Sequence, residues 1–95
     1  MDRNNHFMYV LECADGTFYA GYSTDVGKRV LTHNSGKGAK YTRPRLPVTC
    51  IYYESFQSKR EALQEEYAFK QLTRKQKEQY LHNKVGQQHV EAKKL

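Results

Sequence analysis

Two short apolar runs separated by a tight turn signal constrain this chain more than any other feature of it. Phe7-Met8-Tyr9-Val10-Leu11 and Phe18-Tyr19-Ala20-Gly21-Tyr22 each have the length and residue types of a β-strand, and Ala14-Asp15-Gly16 lies between them. Side chains alternate along a strand, so the length of the turn decides which of them share a face. A two-residue Asp15-Gly16 loop pairs Ala14 with Thr17 and sends Tyr9 and Tyr19 to opposite faces. A three-residue Ala14-Asp15-Gly16 loop, with Gly16 in the left-handed position, pairs Cys13 with Thr17. Leu11 then faces Tyr19, Tyr9 faces Gly21, and the two tyrosines share a face. In that register Gly21 is expected to leave open space beside the Tyr9 ring, as a ligand site would require.

Phe7 to Cys13 and Thr17 to Tyr22 are therefore the first two predicted strands. Ser23-Thr24-Asp25 supplies an N-cap for a helix to about Asn34, closed by Ser35-Gly36. Arg29 and His33 stand four apart and so share one face of that helix; such a pair can also serve only for solubility. The segment from Gly36 to Arg45 is predicted to be a flexible loop. Val48 to Glu54, rich in β-branched and aromatic residues, reads as a third strand. Ser58-Lys59-Arg60-Glu61 is a capping box that opens a helix to about Leu72, and Thr73-Arg74-Lys75-Gln76 starts a short final helix near Tyr80 and Leu81. With 95 residues the chain has room for one small core. That core is assigned to a single domain over residues 1–82, and residues 83–95, polar and without apolar periodicity, are expected to fray. Cys13 and Cys50 match no zinc spacing and read as small core residues.

Charge narrows the function. No Asp or Glu occurs from Val26 to Tyr53, whereas Lys28, Arg29, Lys37, Lys40, Arg43 and Arg45 are cationic, and the whole chain carries a formal +6. A polyanion is the natural partner of such a surface. Lys37, Lys40, Arg43 and Arg45, interleaved with Gly, Tyr and Thr, form a candidate phosphate-tracking loop; the alternative is a merely solvated one. A membrane role is disfavoured, since apolar runs of about five residues fall far short of the roughly 20 that a spanning helix needs. Met1 to His6 shows no apolar core of the signal-peptide kind, and the expected location is cytoplasmic.

Glu66 is the most unusual position. At about 100° per residue, Ala62, Leu63 and Phe69 all fall within about 60° of it, which places a carboxylate in the middle of the stripe expected to face the core. Glu61 and Glu65 lie toward the flank. An unpaired buried carboxylate is costly, so Glu66 requires a cation, a donor or a metal. Spacing leaves two readings open: an active-site or metal-binding carboxylate, or a structural ion pair with Arg29 or another base.

Taken in order, these residues resemble the GIY-YIG nuclease family over about residues 6–82. Met8-Tyr9-Val10 and Tyr19-Ala20-Gly21 stand where the two tyrosine triplets would be, followed by Arg29, His33 and Glu66. The stretch His33-Asn34-Ser35-Gly36-Lys37-Gly38-Ala39-Lys40-Tyr41-Thr42-Arg43 is most similar to the small stand-alone bacterial branch, related to nucleases that cut branched DNA. The resemblance implies an α/β domain of the α+β type, a small three-stranded antiparallel sheet flanked by helices. It implies hydrolysis of a phosphodiester in DNA with one Mg²⁺ or Mn²⁺, in a setting such as DNA repair or recombination. Glu66 would hold the metal, Tyr9 would act as general base, and Arg29 would neutralise the phosphate. Tyr19 and His33 would orient it or assist proton transfer. Met8, Val10 and Ala20 depart from the family pattern at packing positions. Tyr22 stands where some relatives carry a lysine, and no counterpart of their late asparagine is found. With no second domain in view, a protein partner is expected to supply targeting. RNA stays open as a substrate, because phosphate contacts do not distinguish the sugars. The rival reading is a nucleic-acid-binding module that keeps the scaffold without hydrolysis.

Overall fold

The hairpin takes the three-residue form. In the computed structural model the Cys13 N–H donates to the Thr17 carbonyl at 2.8 Å and the Gly16 N–H to the Cys13 carbonyl at 2.9 Å. Gly16 has φ +84°, a backbone that other residues rarely adopt. Strands β1 (His6–Glu12) and β2 (Phe18–Ser23) pair antiparallel with Leu11 opposite Tyr19 and Tyr9 opposite Gly21. The structure describes the backbone of residues 5–92 and side chains for residues 5–85. The N-terminal segment read for a signal peptide therefore lies largely outside the described residues, as does the end of the expected tail.

Helix α1 (Val26–Asn34) begins at Asp25, whose carboxylate accepts from the Lys28 N–H, and ends at Ser35 and Gly36. Strand β3 (Thr49–Phe56) pairs antiparallel with β1, giving the order β2-β1-β3. Helix α2 (Lys59–Lys70) is capped by Ser58, whose hydroxyl accepts from the Glu61 N–H. The Thr73 box is reciprocal: its hydroxyl accepts from the Gln76 N–H, and the Gln76 side chain accepts from the Thr73 N–H. The fold is thus α+β, a three-stranded antiparallel sheet with three helices.

Because β1 is central, both of its faces are covered. Met8 and Val10 pack with Ala20, Tyr52, Phe69 and Leu81 against α2 and the last helix, α3 (Arg74–Ala92). Tyr9, Leu11 and Cys13 pack with Val48 on the other side, flanked by Val26 and Val30 of α1. Each such fully buried aliphatic or aromatic side chain contributes about 1.5–3 kcal/mol. A bulge keeps both faces filled. The β1–β3 register slips between Val10 and Leu11, so that Val10 opposes Tyr52 while Leu11 opposes Cys50. Cys50 and Tyr52 would share a face in a regular strand; the extra residue, Ile51, lets them serve opposite cores.

Three expectations require correction. Leu63 is 41% exposed, because the buried stripe of α2 is centred on Ala62 and Phe69. Leu63 lies about 100° from Ala62 and about 120° from Phe69 at the helical increment, and Glu66 sits at the margin of the stripe rather than in its middle. Residues 83–92, expected as part of a frayed tail, continue α3 to Ala92; Lys84, Gln87, Gln88, Glu91 and Ala92 are good helix formers, and no proline interrupts them. The segment from Gly36 to Arg45 is a built turn. Thr42 is fully buried, a short 3₁₀ turn spans Arg43–Arg45, and the Arg45 Nη1 donates to the Tyr41 carbonyl at 2.7 Å. Among the described residues no helix is long and apolar enough to cross a membrane.

Candidate active site

The polar face of β1 is organised around one tyrosine. Tyr9 is almost fully buried, and its ring lies over Gly21 of β2. A Cβ at Gly21 would stand 2.5 Å from the Tyr9 oxygen. The vacant slot expected beside the ring is therefore absent, because the ring itself occupies that space. The glycine is required by close approach, not by an unusual backbone.

His33, in the last turn of α1, is completely buried, with its two ring nitrogens bonded to different elements. Nε2 is 2.9 Å from the Tyr9 hydroxyl. Nδ1 is 2.9 Å from the Thr42 hydroxyl and takes a longer bond, 3.4 Å, from the Ala39 N–H. Gly38 closes the ring in, since a Cβ there would crowd against Nδ1. The neighbouring Asn34 clips the end of α1 to the start of β3. Its Nδ2 donates to the Val48 carbonyl at 3.0 Å, and its Oδ1 accepts from the Val48 N–H at 2.7 Å. Through Thr42, Ala39 and Gly38 the α1–β3 loop packs around this histidine, and the Asn34 clip ties its two ends together.

Tyr19 meets the His33 ring edge-on at 5.4 Å and stacks on Tyr41 at 6.0 Å. Arg29, one turn before His33, lies close enough to Tyr9 to act on its phenol, and its buried Nε has no hydrogen-bond partner. Glu66 is 15% exposed and pairs through Oε2 with Lys70 Nζ at 2.6 Å, not with Arg29. Lys70 in turn lies 5.8 Å from the Tyr19 ring centre, so this end of α2 reaches past the edge strand β2 to the tyrosine face. Glu66 is near enough to Tyr9 to influence its ionisation. The five residues named from sequence are thus brought into one neighbourhood.

Electrostatics sharpens the roles open to them. Burial pushes the Tyr9 phenol above its ordinary value; Arg29 pulls it down, while the charges of Tyr19 and Glu66 push it up. Burial outweighs the cation in the free protein. Burial, with Arg29 second, holds His33 below the usual histidine range, so the imidazole is neutral at neutral pH.

The loop cations divide. Lys37, Lys40 and Arg43 are exposed. Arg45 is committed internally: Nε is 3.1 Å from an Asp15 carboxylate oxygen, and the guanidinium lies 3.9 Å from the Tyr41 ring centre. Tyr22 stands on the opposite face from Tyr19, bonded to His6 Nδ1 at 2.8 Å and approached by Lys59 of α2. Met8, Val10 and Ala20 are buried on that same opposite face, away from the candidate chemistry. Sequence reasoning missed Thr42, Gly38, Asn34 and Lys70. Only Lys70 carried a readable signal, its i,i+4 spacing from Glu66.

The sequence model of the GIY-YIG catalytic domain matches residues 5–79. A UPF0213 protein of Bacillus pumilus (strain SAFR-032) is 60% identical over 81 residues, covering 85% of this chain and 83% of its own. A UPF0213 protein of Bacillus thuringiensis subsp. konkukian (strain 97-27) is 56% identical over 95 residues, covering 100% of this chain and 97% of its own. The solution NMR structure of the protein EF2693 from E. faecalis is similar with a TM-score of 0.59 and 52% identity, over 87% of this chain and 90% of that one.

Proposed function

Because this chain belongs to the family of GIY-YIG catalytic domains, we propose that it is a divalent-metal-dependent endonuclease that hydrolyses phosphodiester bonds in DNA. The observation that carries this reading is the buried Tyr9–His33 pair with the Arg29 guanidinium beside the phenol. A protein that only bound the outside of a duplex would gain nothing from burying these groups.

Tyr9 is the general base toward the attacking water. Its phenol stands above its ordinary value in the free protein, so it would become a useful base only with the positive charge of a bound metal ion added to that of Arg29. Arg29 supplies the positive charge that neutralises the phosphate, and Tyr19 lines the same approach. His33, neutral and fully enclosed, fixes the Tyr9 hydroxyl and is not available as a metal ligand, since both its nitrogens are engaged. Glu66 is the residue suited to hold the ion. Among the described residues no three His, Cys, Asp or Glu side chains gather into a metal cage. A lone, largely shielded carboxylate suits Mg²⁺ or Mn²⁺, which keep several waters and share substrate phosphate oxygens. When bound, the ion supplies charge stabilisation at the phosphate and makes a nearby water more acidic. Lys70 must yield or share Glu66 for this to happen, which makes it a natural brake on the free protein.

DNA reaches the site along Lys37, Lys40 and Arg43; Arg45, already paired with Asp15, shapes the loop instead. Replacing the three exposed cations with alanine should flatten the log–log salt dependence of DNA binding by roughly two to three units, at about 0.9 per phosphate contact. An unchanged slope would remove this loop from the DNA path. A setting in DNA repair, a cytoplasmic location and a targeting partner belong to the same reading. The direct test is incubation with plasmid and branched DNA in Mg²⁺, Mn²⁺ or EDTA, with cleavage expected only in the metal-containing samples. The Lys70–Glu66 pair favours a second reading, a binding module whose carboxylate is permanently satisfied; binding without cleavage under all three conditions would select it.

A further inference from the structure

Strand β2 is an outer strand: among the described residues β1 pairs with one side of it and no strand with the other. A cavity of about 280 Å³ touches Phe18, Tyr19 and Ala20 in succession, together with Tyr41 of the α1–β3 loop, Lys70 of α2 and Lys77 of α3. Consecutive strand residues point to opposite faces, so a cavity that meets all three lies along the free edge of β2. It continues past Thr17 as a second cavity of about 190 Å³, which shares Phe18, Tyr41 and Lys77 and adds Arg74. No Asp or Glu lines either one. The carboxylates next to them are engaged, Glu66 with Lys70 and Glu78 with Arg74. Lys77, with Nζ 5.5 Å from the Phe69 ring centre, has no acidic partner among the described residues.

Arg74 is held flat. Its guanidinium carbon lies 3.8 Å from the Phe18 ring centre, Nε donates to Glu78 at 2.9 Å, and Nη1 donates to the Gly16 carbonyl at 2.8 Å. The ring covers one face of this fixed plane, yet the side chain stays 51% exposed and lines the cavity. A guanidinium plane of that kind is a surface on which a nucleobase stacks. We propose that the groove along β2 binds an unpaired DNA strand beside the candidate site, with a base on Arg74 and a backbone phosphate on Lys77. The proposal rests on the reading of this protein as one that acts on DNA. A base within a duplex is already stacked on both sides, whereas an unpaired base is free to lie on Arg74. Tyr19 and Lys70 belong both to the groove and to the candidate site, so the strand leads from Arg74 toward Glu66. A free strand edge can also pair with a second copy of the chain; the cationic lining without carboxylates favours the polyanion.

The test is fluorescence anisotropy in EDTA, with the full chain and two labelled DNAs, a blunt duplex and the same duplex carrying a single-stranded tail. Wild type should bind the tailed form on the order of tenfold more tightly. Arg74→Lys keeps the charge and loses the plane; it should remove most of that preference and leave blunt-duplex affinity unchanged. Lys77→Gln should flatten the log–log salt dependence of tailed-duplex binding by about 0.7, the contribution of one single-strand phosphate. Equal wild-type affinity for the two DNAs, or an Arg74→Lys protein that keeps the full preference, overturns the proposal. So does a dimer, seen by sedimentation, that both substitutions weaken, since a second copy then occupies the edge. Should Arg74→Lys disturb the start of α3, the wild-type preference and the Lys77→Gln slope still decide. Hydrolysis is not needed for any of these readings. The expected binding without cleavage in Mg²⁺ or Mn²⁺ would reject the nuclease function and leave the groove standing; cleavage without the strand preference would do the reverse.

Discussion

The two faces of β1 are built by different rules. On one, Met8 and Val10 meet Ala20, Tyr52, Phe69 and Leu81 in a packed apolar layer. On the other, Tyr9, His33 and Thr42 are equally hidden but are joined by directed hydrogen bonds, with Gly21 and Gly38 pared down to let rings approach backbone. The first face needs volume and tolerates exchange among apolar residues. The second needs particular atoms. This is why Met8, Val10 and Ala20 can depart from the family pattern and still fill the core, whereas Tyr9, Gly21 and His33 leave little room for change in packing and hydrogen bonding.

The comparison is easiest to break on the apolar side. Phe69→Ala should cost about 3–5 kcal/mol by denaturant unfolding, the range for emptying a buried aromatic site. A loss below about 1 kcal/mol would mean that α2 is not anchored by this ring. On the polar side, Gly21→Ala should cost about 1–3 kcal/mol through the clash with Tyr9, a smaller penalty in stability that should nonetheless displace the Tyr9 oxygen. Near wild-type stability together with unaltered His33 ring signals would show that Tyr9 does not sit over Gly21.

A subtler distinction is pH. His33 is held below its ordinary value of 6.5 by burial, so the unfolded chain binds the proton first as pH falls. Stability is therefore fully present above about 6.5 and declines as pH drops below it, levelling off once the folded pKa is passed. In a His33→Gln variant the decline between about pH 7 and pH 5 should be shallower than in wild type, while in Phe69→Leu it should be unchanged. Parallel curves for all three proteins would show that the imidazole is not held neutral.

Local chemistry explains what could be read from sequence. The turn at Ala14-Asp15-Gly16 was legible with two possible loop lengths, of which the three-residue one sets the tyrosine register, and the caps at Asp25, Ser58 and Thr73 placed all three helix starts. Arg29 and His33 fell on one helical face by spacing alone. The bulge at Ile51 was not legible, because it answers a demand of two cores at once. Leu63 was misplaced because the buried stripe of α2 is set by how the helix lies on β1 and β2, which periodicity alone does not name. Thr42 was invisible for a different reason. Its hydroxyl reaches His33 only because Gly36, Gly38 and the 3₁₀ turn at Arg43–Arg45 fold the loop back, and no sequence interval encodes that path. Arg45 looked like its basic neighbours until Asp15 and Tyr41 were found to hold it.

The central claim is that the polar face and Glu66 together form a metal-dependent nuclease site, and cleavage by Glu66→Ala beside wild type tests it most directly. Both proteins should bind branched DNA with similar affinity, since the loop cations are untouched. Wild type should cut in Mg²⁺ or Mn²⁺ and not in EDTA, and the variant should be slower by at least about a thousandfold, a barrier increase of about 4 kcal/mol. Cleavage by a nuclease-free preparation of the variant at the wild-type rate, or wild-type cleavage that persists in EDTA, would contradict the account.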